Sequence, residues 1–242
     1  LINCIDCNLI FQKKVLSNKS SKLFYNKVIS QEDSLSKKEN FSVYDFEVYF
    51  KDLKKIENFF RRKPKYIKLL EIGAGWGFWS RIAKDLNFSI ETVELSQVRR
   101  KFLSKHHIKC YPEINNIPVK KKYDVIFLDQ TLEHLTDPRS IFKFSRTKLS
   151  KEGILFFKIP SGLYTRFKIR RDYEFKHDEL IPLEHINIFN LKNLYITSRM
   201  FNFKFRYLYS TNNFFSYKFF KEFLGNLHNV VTNKIIIFQK NN

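Results

Sequence analysis

The chain has 242 residues, of which 43% are hydrophobic, and its 44 lysines and arginines against 24 aspartates and glutamates give a net charge of +20. This length suits one α/β domain with an extension or two small domains, and the hydrophobic content excludes a disordered chain. Clustered basic residues would favour nucleic acid, but they are scattered here, so the charge alone does not identify a partner.

The apolar segments and the three cysteines favour a cytoplasmic protein without a membrane span. The longest apolar runs, such as GILFFKI from Gly153, are far shorter than the roughly 20 residues that cross a bilayer. The first residues, LINCIDCNLIFQKK, lack the apolar core of a secretory signal. Cys4, Cys7 and Cys110 are too few for a disulfide framework. Since the first residue is Leu1 rather than Met, we expect a fragment.

The predicted elements follow a polar lead-in that ends near residue 40. Residues 45–60 have apolar side chains at spacings of three and four, which predicts an amphipathic helix. Short apolar runs then alternate with helical patterns, and this predicts βαβ units with a parallel sheet. The predicted strands cover 66–72, 89–95, 108–111, 123–128 and 154–159, and the helices between them cover 76–86, 96–107 and 138–149.

The alternation stops after Pro160 with a polar, basic stretch that reaches about residue 189. Beyond it the patterns predict a helix over 191–201, a strand over 204–209, a helix over 217–227 and a strand over 234–239. No internal repeat is present in the sequence.

Three of the six glycines lie in one short turn, LLEIGAGWG, at positions 73, 75 and 77. A glycine-rich turn between a strand and a helix lets a ligand approach the backbone N–H groups closely. The dinucleotide fingerprint G-x-G-x-x-G would need a third glycine at the position of Phe78. Glu71, two residues before the turn, suits a ligand that carries an amino group and a positive charge better than it suits a pyrophosphate.

Glu94 stands at the end of the next predicted strand, 19 residues after Gly75. A carboxylate in this position can accept hydrogen bonds from two ribose hydroxyls. These features predict a ligand that contains a ribose but no pyrophosphate. With LLEIGAGWG as the first motif and TVELS as the acidic strand end, the chain resembles the class I S-adenosylmethionine-dependent methyltransferases.

Further segments extend this resemblance over about residues 66–240. YDVIFLDQTLEHLTDP, GILFFKIPSG and PLEHINIFN are similar to successive segments of a branch that includes ubiquinone-pathway O-methyltransferases and methyltransferases of sugar and glycan pathways. The resemblance implies a Rossmann-like α/β fold with a mostly parallel seven-stranded sheet, helices on both faces and an antiparallel last strand. It also implies a methyltransferase domain over 45–242, after a lead-in over 1–44, with a substrate-side insertion at about 160–190.

The cofactor implied by the resemblance is S-adenosylmethionine, and the implied reaction is methyl transfer to a small acceptor, with an oxygen of a sugar or glycan-pathway metabolite as the leading expectation. The residues that match the family's cofactor-binding positions are Glu71, Gly73, Ala74, Gly75, Gly77, Glu94, Leu95, Asp129 and Gln130.

Two histidines are candidates for the base that an oxygen nucleophile requires. His134 and His185 both end a Leu-Glu-His tripeptide, and both are expected at the carboxyl edge of the sheet. His134 is expected to begin the helix after the fourth strand, where it could also have only a packing role. The same alternative remains open for His185, which follows the insertion.

The insertion contains Arg166, Arg170 and Arg171 among aromatic residues. A cationic patch there would suit an anionic acceptor such as a nucleotide-linked sugar, and the alternative is an ordinary solvated surface. Replacing Arg170 and Arg171 without losing acceptor affinity would exclude the first interpretation.

The pair Cys4-x-x-Cys7 resembles half of the zinc-ribbon-like element with which related methyltransferases often begin. Tetrahedral zinc needs four ligands, and only one such pair is present. We therefore interpret the pair as a truncated ribbon, or alternatively as an inactive site, and do not expect bound zinc from it.

Two other functions are compatible with the glycine turn. An RNA methyltransferase would fit the basic charge, although LDQTLEH replaces the Asn/Asp-Pro-Pro-aromatic turn that many base-methylating enzymes use. A catalytically silent cofactor-binding subunit would bind the cofactor without turnover. Since the glycine turn fits all three functions, the acceptor side has to discriminate between them.

Overall fold

The computed structural model describes residues 1–24, 35–36, 42–160, 183–206 and 233–240. The predicted helix over 217–227 and the arginines Arg166, Arg170 and Arg171 lie outside the described residues.

Strands and helices alternate along most of the described chain. The strands are β1 (Ile2–Asn3), β2 (Ile10–Phe11), β3 (Lys68–Ile72), β4 (Ser89–Val93), β5 (Lys109–Tyr111), β6 (Tyr123–Asp129), β7 (Leu149–Pro160), β8 (Asn187–Ile188), β9 (Phe203–Arg206) and β10 (Asn233–Lys240). The α-helices are α1 (Asn18–Leu23), α2 (Val43–Phe60), α3 (Phe78–Asp85), α4 (Gln97–Lys105), α5 (Pro138–Lys148) and α6 (Leu191–Met200). Most predicted elements are therefore present, with boundaries shifted by a few residues.

The larger sheet has seven strands in the order β5-β4-β3-β6-β7-β10-β9. β3 pairs in parallel with β4 and β6, and β4 pairs in parallel with β5. β10 runs antiparallel to both of its neighbours, β7 and β9. The predicted Rossmann-like α/β fold, with its antiparallel last strand, is confirmed.

The apolar runs that predicted the central strands are explained by burial. In β6 the residues Tyr123–Leu128 are buried without alternation, and in β7 the same holds for Ile154–Ile159. Strands of a parallel sheet that are covered on both faces carry apolar side chains at consecutive positions. The sequence therefore predicted these strands well, although it gave no period of two.

The described contacts divide the chain into two compact units. One unit, called here the turn unit, comprises Leu16–Phe127 and Lys148–Gly153 and contains the glycine turn. The other, called the histidine unit, comprises Leu1–Val15, Leu128–Thr147 and Ile154–Asn242. The predicted division into a lead-in over 1–44 and a methyltransferase domain over 45–242 stays a prediction.

A small antiparallel sheet, in the order β1-β2-β8, lies within the histidine unit. β2 pairs with β1 on one side and with β8 on the other, so that Ile10 is opposite Ile188. These N-terminal strands were not predicted, because strands of two residues show no period in a sequence. They connect the first residues of the chain to the segment that contains His185.

No helix in the described part of the chain has the length and apolar character of a membrane span.

Gly77 and Gly75 have similar backbone conformations but different surroundings. Their φ angles are +68° and +57°, in the left-handed region that favours glycine. A Cβ atom on Gly77, at the start of α3, would collide with the side chain of Leu103 in α4, whereas a Cβ atom on Gly75 would meet no atom of the described residues within 4 Å. Gly77 is thus required for helix packing, and Gly75 borders open space.

We expect Gly77→Ala to lower the free energy of unfolding by about 1–3 kcal/mol more than Gly75→Ala does. Both variants incur the cost of a left-handed non-glycine residue, about 1 kcal/mol, but only the first also overpacks against Leu103. Urea unfolding of the two variants measures the difference. Equal losses of unfolding free energy would mean that Leu103 can move away from the added methyl group without destabilising the fold.

Candidate functional site

Backbone hydrogen bonds join the glycine turn to the end of β4. The backbone N–H groups of Gly73 and Ala74 both donate to the carbonyl of Val93, at 2.9 and 3.2 Å. Gly77 N–H donates to the carbonyl of Ala74 at 2.8 Å and closes the turn before α3 begins. The turn is thus held by backbone contacts, as is needed where a ligand approaches the main chain.

Glu94 is fixed by two backbone N–H groups, one on each carboxylate oxygen. Its Oε2 accepts from Gly75 N–H at 2.8 Å, and its Oε1 accepts from Ser96 N–H at 2.8 Å. The side chain is buried, with 7% of its surface exposed. Because each carboxylate oxygen has a further lone pair, Glu94 can still accept two hydroxyl groups of a ligand beside the turn.

Glu71, in β3, brings a second buried carboxylate to the turn unit. Its Oε2 accepts a hydrogen bond from the hydroxyl of Ser80, in the first turn of α3, and both residues are buried. Ser80 was not identified from the sequence, because nothing in the pattern distinguishes it from a packing residue of α3.

Aromatic and apolar side chains surround the turn. Trp76 packs edge-on against Phe102 with ring centroids 5.2 Å apart, and the guanidinium of Arg99 lies 5.6 Å from the Trp76 ring. Leu95, directly after Glu94, is 50% exposed. Such an exposed apolar residue beside a fixed carboxylate can cover the flat ring of a nucleoside.

Asp129 and Gln130 lie where β6 ends. Gln130 has a φ of +44°, and its N–H donates to the carbonyl of Lys158 at 3.1 Å. The hydroxyl of Thr131 donates to the carbonyl of Asp129 at 2.8 Å. The predicted part of Asp129 and Gln130 in cofactor binding stays a prediction.

The structure brings the two predicted histidines together. The imidazole rings of His134 and His185 meet edge to face with their centroids 4.7 Å apart. His134 closes a one-turn 3₁₀ helix, Leu132–His134, and does not begin the following helix as expected, since α5 starts at Pro138. A potential ligand atom from each of Glu133, His134 and His185 lies within 4.8 Å of the other two.

Contacts between distant segments hold the histidine pair. The Nδ1 atom of His134 lies 2.8 Å from the carbonyl of Glu184, and because a carbonyl only accepts, Nδ1 carries the proton. Ile186 N–H donates to the carbonyl of Glu133 at 2.9 Å, and the Asn187 side chain donates to the carbonyl of Leu135 at 2.6 Å. The segment that contains His185 is therefore fixed against the 3₁₀ helix.

Gln12, at the end of the N-terminal hairpin, holds the same segment from another side. Its N–H donates to the carbonyl of Ile186 at 2.9 Å, and its side-chain amide donates to the carbonyl of His185 at 3.2 Å. The amide oxygen accepts from Leu183 N–H, also at 3.2 Å. The sequence gave no signal for this role.

Burial shifts the pKa values of two members of the cluster in opposite directions. Glu133 is 1% exposed, and burial raises the pKa of its carboxyl to about 8. Burial, together with the nearby His185, lowers the pKa of His134 to about 4. Within the described residues, neither carboxyl oxygen of Glu133 and not the Nδ1 atom of His185 has a hydrogen-bond partner. At neutral pH without a bound ion, Glu133 is therefore mainly protonated and His134 is neutral.

We expect the free energy of unfolding to fall by about 1.5 kcal/mol between pH 6.5 and pH 8, and Glu133→Gln to remove this fall. The folded-state pKa of Glu133 lies above its ordinary value of 4.5, so the folded chain binds the extra proton and loses stability as the pH rises. His134, with its pKa lowered from 6.5, acts in the opposite sense and only below pH 6.5.

Urea unfolding in chelator-treated buffer at several pH values measures this dependence. Glu47→Gln is the matched control, because Glu47 lies on the exposed face of α2 and should leave the fall intact. An unchanged fall in Glu133→Gln would assign the dependence to another group.

Cys4 and Cys7 lie in the turn between β1 and β2. Cys4 N–H donates to the carbonyl of Leu9, and Asn8 N–H donates to the carbonyl of Cys4, both at 2.8 Å. Hydrogen bonds from Cys7 lower the pKa of the Cys4 thiol. Among the described residues the two cysteines join no group of three or more potential metal ligands.

Both histidines were predicted from the sequence as site residues, but Glu133 was not, although Glu133 stands in the first Leu-Glu-His tripeptide. The repetition of this tripeptide at Leu183–His185 was the available signal. The repetition does not distinguish the two glutamates. Glu133 is buried, whereas the backbone carbonyl of Glu184 accepts a hydrogen bond from His134 Nδ1–H.

Comparisons with known proteins give a family and relatives. A family model described as a methyltransferase domain matches residues 44–207. The ubiquinone biosynthesis O-methyltransferase of Pelagibacter ubique is 35% identical over 104 residues, which cover 39% of this chain and 42% of that protein. The protein of the same name from Glaesserella parasuis is 28% identical over 102 residues, covering 37% and 43%. The matches thus span less than half the length of these curated relatives.

Solved structures share the fold. The plantazolicin methyltransferase BpumL in complex with SAH is 17% identical, with a TM-score of 0.62 over 92% of this chain and 94% of that one. An S-adenosylmethionine dependent methyltransferase from Mesorhizobium loti is 12% identical, with a TM-score of 0.53 over 74% and 93%. At these identities the likeness shows the fold alone.

Proposed function

This chain belongs to the methyltransferase domain family, and from that premise we propose that it transfers a methyl group from S-adenosylmethionine to an oxygen of a small acceptor. The family membership confirms the class I S-adenosylmethionine-dependent methyltransferase predicted from the sequence.

The observation that carries the proposal is the hydrogen bond between Gly75 N–H and the Glu94 carboxylate. This bond holds a carboxylate directly beside the glycine turn, and no described residue lies within 4 Å of the Cβ position of Gly75. Both observations support a ribose site here, because a carboxylate can accept hydrogen bonds from ribose hydroxyls. We assign the methionine part of the cofactor to the turn, near Glu71, and the adenine to the exposed Leu95. The SAH bound to the plantazolicin methyltransferase is the product that S-adenosylmethionine leaves after methyl transfer, which supports this choice of cofactor.

The cofactor supplies an electrophilic methyl group, so the chain has to align the acceptor and remove its proton. In the proposed step, the acceptor oxygen forms a bond to the methyl carbon. The carbon–sulfur bond breaks, and its electron pair remains on sulfur. The proton of the acceptor hydroxyl passes to a base.

His185 is the better candidate for this base. Its Nδ1 atom is buried without a hydrogen-bond partner among the described residues and can take up a proton. The pKa of His134 is lowered to about 4, and its Nδ1 proton is held by the carbonyl of Glu184, so His134 is suited to position its neighbour.

The acceptor is proposed to be a metabolite of a sugar or glycan pathway. The names of the two curated relatives support an oxygen as the methylated atom. An anionic acceptor such as a nucleotide sugar would pair with Arg166, Arg170 and Arg171, as proposed from the sequence.

Transfer of a labelled methyl group tests this function. The chain is incubated with methyl-labelled S-adenosylmethionine and, in separate reactions, nucleotide sugars, small phenols or a mixed RNA pool, with an acceptor-free control. We expect label in a small molecule and formation of S-adenosylhomocysteine. Label in RNA alone would establish the alternative RNA methyltransferase, and saturable cofactor binding without transfer to any pool would favour the silent subunit.

A further inference from the structure

We propose that Glu133, His134 and His185 bind a divalent cation of the zinc type. Among the described residues, one group of three or more histidine, cysteine, aspartate or glutamate side chains lies close enough to share one ion, and it consists of these three. All three lie in the histidine unit, two on the 3₁₀ helix after β6 and one just before β8. The site therefore involves no residue of the glycine turn.

The geometry suits a small cation. The three ligand atoms lie within 4.8 Å of one another. An ion placed centrally between them would therefore lie at most about 2.8 Å from each atom. Zinc binds imidazole nitrogen and carboxylate oxygen at about 2.0–2.2 Å. A modest rotation of the side chains closes this difference. Both histidines are partly exposed, whereas Glu133 is buried.

Two of the three side chains, Glu133 and His185, have buried polar atoms without a hydrogen-bond partner among the described residues. Glu133 is 1% exposed, yet neither of its carboxyl oxygens has a hydrogen bond among the described residues, and the buried Nδ1 atom of His185 has none either. Burying such groups without a partner is costly, and buried polar atoms in native proteins are nearly always satisfied. One cation between Glu133 and His185 would satisfy both.

The surroundings of His134 resemble those of a metal ligand, and the backbone of His185 is held in place. A histidine that binds a metal usually donates its second ring N–H to a carbonyl or carboxylate, which fixes the ring. His134 makes this contact through Nδ1 to the carbonyl of Glu184 at 2.8 Å. Gln12 holds the backbone carbonyl of His185 at 3.2 Å.

The ligand types decide the class of cation. Two imidazoles and one carboxylate suit zinc and other transition metals, whereas magnesium and calcium prefer sites made of oxygen atoms. Three protein ligands also leave a fourth tetrahedral position, as in catalytic zinc sites.

The role of the fourth position rests on the methyl transfer proposed above, but the cation site itself does not. An acceptor hydroxyl bound there would lose its proton to water, because the cation stabilises the resulting oxyanion. The oxyanion would then attack the methyl carbon, and sulfur would leave with the bonding pair. The cation would replace His185 as the means of activating the acceptor.

Competition with a chromogenic zinc chelator tests the site on the full 242-residue chain. We expect one zinc ion per chain, bound at least about 100-fold more weakly by Glu133→Gln and by His185→Gln, because even outer partners of a metal contribute 10- to 100-fold in affinity. His107→Asn is the matched control, since His107 is exposed and lies in the other unit. Circular dichroism verifies that each variant is folded.

Cobalt(II) distinguishes this site from the cysteine pair. Ligand-field bands without thiolate charge transfer, retained when Cys4 and Cys7 are both replaced by serine, would support the proposal. It would be overturned if the folded chain bound no zinc, if only magnesium bound, or if zinc binding survived Glu133→Gln and His185→Gln. The methyl-transfer assay is separate, so a chain that binds zinc at this site but methylates nothing retains the site and loses only the proposed function.

Discussion

Gly75→Arg should abolish the binding of S-adenosylmethionine by a chain that remains folded. A side chain at this position would enter space beside the turn that no described residue fills, because none of their atoms lies within 4 Å of its Cβ position. The arginine would occupy the place of the ligand and bring its own charge next to the sulfonium. We expect affinity to fall by at least about 100-fold, which corresponds to about 2.7 kcal/mol.

Calorimetric titration of the wild-type chain and the variant measures this loss. Gly75→Ala is the matched control: it shares the strain of a non-glycine residue at a φ of +57° but adds only a methyl group, and it should retain measurable binding. Full affinity in the folded Gly75→Arg chain would show that the cofactor does not lie against this turn.

His185→Gln should lower kcat for methyl transfer by about 10²- to 10⁴-fold while leaving the affinity for S-adenosylmethionine unchanged. We expect the affinity to be unchanged because His185 is not among the residues assigned to cofactor binding and contributes no atom to the glycine turn. Either loss of the base or loss of a cation ligand produces this fall. Single-turnover rates at saturating cofactor, with titration of cofactor binding, measure the two quantities separately.

A comparison with His134→Gln separates the two explanations. If His185 alone takes the proton, His134→Gln should keep much of the activity, whereas a shared cation predicts losses of similar size in both variants. His107→Asn provides the control for a histidine outside the cluster. An unchanged kcat in His185→Gln would remove His185 from the chemistry altogether.

The glycine turn and the position of Glu94 were predictable from the sequence because their determinants are local. The three glycines lie within five residues, and Glu94 follows at the end of the next strand of a repeating βα pattern. Strand, turn and helix in this order place the turn at the carboxyl edge of a parallel sheet without any knowledge of distant contacts. What remained hidden was how Glu94 is held, because the hydrogen bond to Gly75 depends on the register between β3 and β4.

By itself, then, the sequence determined the fold class, the order of the main elements and the residues around the glycine turn, because burial and turn chemistry act on neighbouring residues. Only the tertiary structure placed His134 beside His185, 51 residues later, and left the Glu133 carboxyl buried without a hydrogen-bond partner among the described residues. The contacts that hold this cluster come from short strands and from single side chains such as Gln12. Their partners lie far away in the sequence, so these contacts leave no periodic pattern in it.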